Sequence, residues 1–221
     1  MTDLKAGSVR ALIFDLDGTL IDSKLDLIHS VNAMLRELGR GELKEETISA
    51  YIGHGAPKLV ARALGENGAE EERQRALDFF LRYYESHKMD TTSAYPGVAE
   101  TLEKLASVPM AVLTNKPVRI SVRILDAMGL SRYFRAIYGG NSFLTKKPDP
   151  LGARTILREL GAEPGEALLV GDSEVDVQTA RNAGTWVIGC TFGLAPETLE
   201  AHQPDVLVDA PRDWTTALSA L

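Results

Sequence analysis

Apolar residues alternate along the chain between two spacings. Short, mostly apolar runs at residues 9–14, 110–113, 167–170 and 186–189 break off at acids, small polar residues or glycine. Such runs are the mark of buried parallel strands that deliver loops at their carboxyl ends. Weaker runs lie at 135–138 and 205–208. Between them, stretches at 98–106, 117–128, 150–160 and 174–183 are helical, opened by proline or small polar residues, with Gly129, Gly161 and Gly184 as stops. Strand and helix therefore alternate, which predicts an α/β fold: a doubly wound, Rossmann-like parallel sheet with right-handed crossovers.

Residues 23–92 break this rhythm. They carry only helical patterns, at 25–38, 45–51, 56–64 and 70–88, and end in Ser93-Ala94-Tyr95-Pro96-Gly97, a turn that cannot be helix interior. The expected organisation is a core of residues 1–22 and 93–221 with a helical insertion at 23–92. Leaving directly after the first strand's loop, the insertion would cover the carboxyl ends of the strands, where open α/β sheets bind ligands.

Composition narrows the partners. With 221 residues, 44% hydrophobic and 25% charged, the chain suits one full core and a smaller module. No apolar run approaches the ~20 residues of a membrane span, and residues 1–8 offer neither a basic cluster nor a signal-type apolar core. A cytoplasmic location is expected, as monomer or homodimer. A net charge of -7 gives no field to attract nucleic acid or an anionic membrane. An anionic substrate must then be met by local cations. The lone Cys190 reads as packing at a strand end.

Four constellations carry candidate chemistry. Asp15 and Asp17, two apart at a strand end, aim their carboxylates to one side of the chain. Such a pair suits phosphoryl transfer: one carboxylate attacks phosphorus, the other protonates the leaving alcohol and later activates water. Gly18 and Thr19 would let backbone N–H groups curl toward phosphate oxygens. Acids after a strand also cap plain turns, so the pair alone does not decide. Thr114 and Asn115, between strand and helix, can donate to phosphate or serve as caps. Lys147, restricted by Pro148, is a better fixed cation than Lys146. Asp172 can reach a metal shared with Asp15, and Asp176, one helical turn on, is placed to orient Lys147 or a metal-bound water, with direct ligation of the metal as the alternative. Each of these groups follows the end of its own strand, and that order is the specific signal.

In that order, Asp15-Leu16-Asp17-Gly18-Thr19-Leu20, Thr114-Asn115, Lys147-Pro148 and Gly171-Asp172-Ser173 with Asp176 resemble the four motifs of the haloacid dehalogenase superfamily, over essentially the whole chain. The resemblance implies Asp15 as nucleophile, Asp17 as general acid/base, and Thr114 and Lys147 as stabilisers of phosphate and nucleophile. It implies Mg²⁺ held by Asp15, Asp172 and the Asp17 carbonyl, and a small helical cap over the site. Ala94-Tyr95-Pro96-Gly97-Val98, Thr114-Asn115-Lys116-Pro117, Gly139-Gly140 and Lys147-Pro148-Asp149-Pro150 are most similar to phosphoglycolate phosphatases, although Asn141-Ser142 stands where those enzymes commonly place an acid. The expected partner is a small phosphorylated metabolite, 2-phosphoglycolate first, with sugar phosphates, nucleoside monophosphates and pyrophosphate as alternatives.

Rival readings are separable. Asp17 argues against a dehalogenase, whose halide leaving group needs no acid. A phosphomutase of this family usually carries a cap histidine, for which His29 is the nearest candidate here. A receiver-like signalling domain would need an acceptor aspartate after Leu113 and no insertion. A catalytically silent binding protein would not need every motif acid. Substrate contacts from the insertion are expected from His54 or Lys58, in the glycine-flanked turn Gly53-His54-Gly55-Ala56-Pro57-Lys58.

Overall fold

Residues Ala11–Phe14 form β1, and every residue of it is buried because both faces of the strand are covered. Alternation sends Leu12 and Phe14 to one face and Ala11 and Ile13 to the other, dividing the core into two clusters. The computed structural model describes residues 9–65 and 69–220. The reading of residues 1–8 as free of a signal segment lies outside them.

Five further strands join β1 in one parallel sheet: β4 (Met110–Leu113), β5 (Phe134–Tyr138), β6 (Ala167–Gly171), β7 (Trp186–Cys190) and β8 (Val206–Val208). Their order is β5-β4-β1-β6-β7-β8, so the winding reverses on the two sides of β1. Phe14 lies opposite Val112 of β4 and Val170 of β6, which sets the residues following these strands side by side. Such a switch point is where open sheets bind ligands.

Helices cover both faces. On one, α7 (Leu151–Leu160) and α8 (Glu174–Ala183) bury Ile156, Leu157 and Ala180 with Ile13. On the other, α5 (Val98–Lys104), α6 (Val118–Ala127) and α10 (Trp214–Ala220) bury Leu102, Ile124 and Trp214, the Trp214 ring 5.2 Å from that of Phe14. The short α9 (Leu199–His202) precedes β8. The expected strands and helices are present, most with shifted ends. The helix at Trp214 and the short α9 were not anticipated.

Between β1 and α5 the chain forms α1 (Lys24–Glu37), α2 (Glu45–Ser49), α3 (Ala56–Leu64) and α4 (Glu70–His87). On α4, Ala76, Phe80 and Tyr84 recur every fourth residue and are its buried stripe. Two short strands, β2 (Ile21–Asp22) and β3 (Ser93–Ala94), pair antiparallel, so the chain leaves and rejoins the core at one place. This pairing has no counterpart in the sequence pattern, because two residues are too few to show alternation.

Among the described residues, no helix is long and apolar enough to cross a membrane.

Candidate active site

Asp15 follows β1 directly, and its backbone N–H donates to Val170 O at 2.9 Å, locking the turn onto β6. Lys147, in the loop between β5 and α7, brings its ammonium 2.8 Å from Asp15 Oδ1 and 2.6 Å from Asp176 Oδ1. The Lys147–Pro148 peptide is cis. Lys146 is exposed and Lys147 buried. Burial alone would lower the Lys147 pKa, but the charges of Asp15 and Asp176 hold it above the ordinary lysine value.

The other oxygen of Asp176 accepts the N–H groups of Asp172 and Ser173, each at 3.2 Å, and the Ser173 hydroxyl at 2.7 Å. Ser173 and Asp176 thus form the capping box of α8. Asp172 turns Oδ2 to the N–H groups of Leu194 and Ala195, at 2.6 and 3.2 Å. Asp15, Asp172 and Asp176 bring ligand oxygens within 4.8 Å of one another. Desolvation pushes the Asp15 carboxyl up to about 7 against the pull of Lys147, with Asp176 adding to the rise. Burial, then the charges of Asp176 and Asp15, push Asp172 well above the carboxylate range. Asp15 and Asp176 thus share one ammonium while Asp172 beside them is met by backbone N–H groups, a donor set that fits a hard divalent cation.

Gly18 has φ +82, and a Cβ there would meet Asp172 Oδ2 at 2.0 Å; the close approach of loop to acid requires glycine. Thr19 is fully buried, and its hydroxyl has no hydrogen-bond partner among the described residues. Thr114, buried after β4, accepts the Lys116 N–H at 3.2 Å and keeps its own proton to donate.

Asp17 stands outside the metal-type cluster. Its carboxylate accepts from Ser23 Oγ at 2.6 Å and from Lys116 Nζ at 2.8 and 3.0 Å. Each acid of the pair therefore has its own lysine. Lys116, Ser23 and the Leu194 and Ala195 N–H groups were not singled out in the sequence. The signal for Lys116 was its place in Thr114-Asn115-Lys116-Pro117; that for Leu194 and Ala195 was Gly193, in the loop after β7.

Of three further expected substrate contacts, Asn115 lines the cavity over the acids, whereas His54 and Lys58 do not. Asn115 donates its amide to Gly53 O and Lys147 O, both at 3.1 Å, because two loop carbonyls reach it; it braces loops. His54 faces Glu174, Nε2 to Oε1 3.9 Å. Lys58 is exposed and lines a separate groove with Tyr51 and Arg62, since the α3 face that packs inward carries Leu59 and Ala63 instead.

Above the acids lies a cavity of about 50 Å³. Asp15, Asp17, Asp172, Thr114 and Lys116 form its floor, and Leu27, Ile52, Leu59, Phe80 and Tyr84 of the helical segment its largely apolar roof.

Fold and site together define an enzyme working at the carboxyl edge of an open parallel sheet. The haloacid dehalogenase-like hydrolase family model matches residues 12–190, and the chain belongs to that family. Within it the chain is a phosphatase. A protein of Pseudomonas syringae pv. tomato named phosphoglycolate phosphatase is 45% identical over 198 residues, 86% of this chain and 72% of that protein. One of the same name from Vibrio parahaemolyticus is 35% identical over 91% of this chain and 92% of its own length. A crystal structure of a protein described as a predicted phosphoglycolate phosphatase from Haemophilus somnus superposes with a TM-score of 0.91 at 31% identity, over 96% of this chain and 99% of that one.

Proposed function

We propose that this phosphatase hydrolyses 2-phosphoglycolate with Mg²⁺ through a phosphoryl-aspartate at Asp15. The observation that carries the reading is the pairing of two carboxylates two residues apart with two different buried lysines, Lys147 at Asp15 and Lys116 at Asp17. An acid held by Lys147 in this way is an anion fixed in place for attack on phosphorus. Asp15 forms the bond to phosphorus as the ester P–O bond breaks, and Asp17, which must enter the cycle protonated, gives that proton to the departing alkoxide. Asp17 then takes a proton from water as that water's oxygen attacks phosphorus, Asp15 is released, and Asp17 is ready again.

Asp15, Asp172 and the Asp17 carbonyl would hold the magnesium ion, which when bound supplies positive charge to the transferring phosphoryl oxygens. Asp176 has both oxygens engaged, by Lys147 and by the α8 cap, and acts as a positioning residue. Thr114 donates its hydroxyl to a phosphoryl oxygen. The small cavity and apolar roof favour a short substrate, and the relatives' shared name points to phosphoglycolate. Residues 23–92 act as the cap that excludes water.

The test is a panel with Mg²⁺: 2-phosphoglycolate, sugar phosphates, nucleoside monophosphates and pyrophosphate. The expected result is the highest kcat/KM for 2-phosphoglycolate. A better rate for another ester rejects this substrate and leaves the phosphatase standing.

A further inference from the structure

Phosphoglycolate carries a second anion, and neither cation expected from the helical segment meets it. His54 is turned to Glu174, and Lys58 lies outside the cavity. Lys147, one of the cluster's two buried lysines, is held between Asp15 and Asp176. Lys116 is the other. It is 6% exposed, lines the cavity, and directs two hydrogen bonds to Asp17. An ammonium has three donors, so Asp17 does not exhaust it.

Tyr84 supplies the second observation. It comes from α4, its ring faces Lys116 Nζ at 4.6 Å to the centroid, and it is 1% exposed. Its hydroxyl is buried at the wall of the same cavity with the Lys116 ammonium beside it, and among the described residues it makes no well-formed hydrogen bond. Buried hydroxyls are normally satisfied, so an orphan beside a cation in a cavity points to a ligand that completes it. The neighbouring roof residues Leu27, Ile52, Leu59 and Phe80 have no polar side-chain group to offer.

We infer that Lys116 and Tyr84 form the subsite for the carboxylate of the substrate, an assignment that rests on the phosphoglycolate reading. The ammonium bridges Asp17 and the substrate carboxylate, and the Tyr84 hydroxyl donates a second hydrogen bond. In phosphoglycolate one methylene bears both the carboxylate and the ester oxygen. Binding the carboxylate to the lysine that holds Asp17 therefore sets the ester oxygen beside Asp17. A phosphate ester of the same size with an uncharged alkyl group lacks this anchor, and a longer polar one meets the apolar roof. Lys116 and Tyr84 are thus specificity residues contributed by the core and by the helical segment.

The experiment compares 2-phosphoglycolate with ethyl phosphate, both with Mg²⁺, in the wild type, Tyr84→Phe and Lys116→Met. The readout is the ratio of kcat/KM values, which cancels damage to Asp17 because both esters need it. The wild type should prefer phosphoglycolate. Tyr84→Phe should cut that preference about tenfold, mainly through KM, as for a hydrogen bond to a charged group. Lys116→Met should cut it by about 30-fold or more, as for loss of a buried charge partner. If the wild type prefers phosphoglycolate and both variants keep the ratio, the subsite is wrong while the substrate reading stands. If Lys116→Met does not fold, Tyr84→Phe decides by the same criterion. A wild type with no preference overturns the substrate reading and the subsite with it.

Discussion

Lys147 and Asp176 form a buried ion pair, Nζ to Oδ1 2.6 Å, in which the acid is itself fixed by the cap of α8. Lys147 is thereby aimed at Asp15 from a helix and not from its own loop. Asp176→Asn keeps the shape and removes the charge. The expected effect is a fall in kcat of about 10- to 100-fold, the usual cost of losing a supporting partner, with a lower Tm. Steady-state kinetics and a thermal melt check it; a lower Tm with kcat unchanged would confine Asp176 to stability.

Asp15→Asn should abolish turnover, because an amide cannot form the acyl phosphate. Asp17→Asn should instead stall the second step and allow the phosphorylated enzyme to accumulate. Intact-mass measurement after mixing with substrate and Mg²⁺ distinguishes them. Phosphate on the Asp15→Asn protein, or none on Asp17→Asn, contradicts the assigned roles.

The strand ends were legible in the sequence because both faces of the sheet are covered, which leaves near-continuous apolar runs broken at Asp15, Thr114 and Asp172. What lay beyond reach was the direction of side chains set by distant partners. Lys116 meets Asp17 across 99 positions. Asn115 is turned by carbonyls at Gly53 and Lys147, on two separate loops. Tyr84 was one more aromatic on an amphipathic helix until α4 placed it over Lys116. The acid-rich turn at Asp15 was visible as chemistry, while the pairing of its two acids with separate lysines exists only in three dimensions.

Divalent metal should stabilise the fold as well as permit turnover. Burial raises the Asp15 carboxyl from 3.8 to about 7, so its contribution to stability is full below 3.8 and is lost as pH rises through about 7. In chelator, Tm should therefore decline across that window, and Mg²⁺ should restore more at pH 7.5 than at pH 5. At 100 times its Kd the ion adds about 2.7 kcal/mol, or roughly 5–10 °C for a chain of this length. Calorimetry across pH with and without Mg²⁺ is the check, and an equal increment at both pH values would count against Asp15 as a ligand.

Where the chain enters and leaves its helical segment, stability should depend on pH in the opposite sense. Asp26, in the first turn of α1, is 1% exposed. It accepts the Thr91 and Thr92 hydroxyls, each at 2.6 Å, and the N–H groups of both residues. Burial alone would raise its pKa, but these hydrogen bonds outweigh burial and hold it below 3.8. Its contribution is therefore present above 3.8 and lost as pH falls through the lower folded value. Asp26→Asn replaces an acceptor by an amide that faces N–H and O–H donors. The expected loss is about 1.5–3 kcal/mol at pH 7, as for hydrogen bonds to a charged group. That loss lowers Tm by roughly 3–12 °C. Because the wild type surrenders the same interaction on protonation, the gap between the two melting curves should be constant above pH 5 and close below 3.8. A gap of the same size at pH 3 and pH 7 would show that the threonines do not depend on the Asp26 charge.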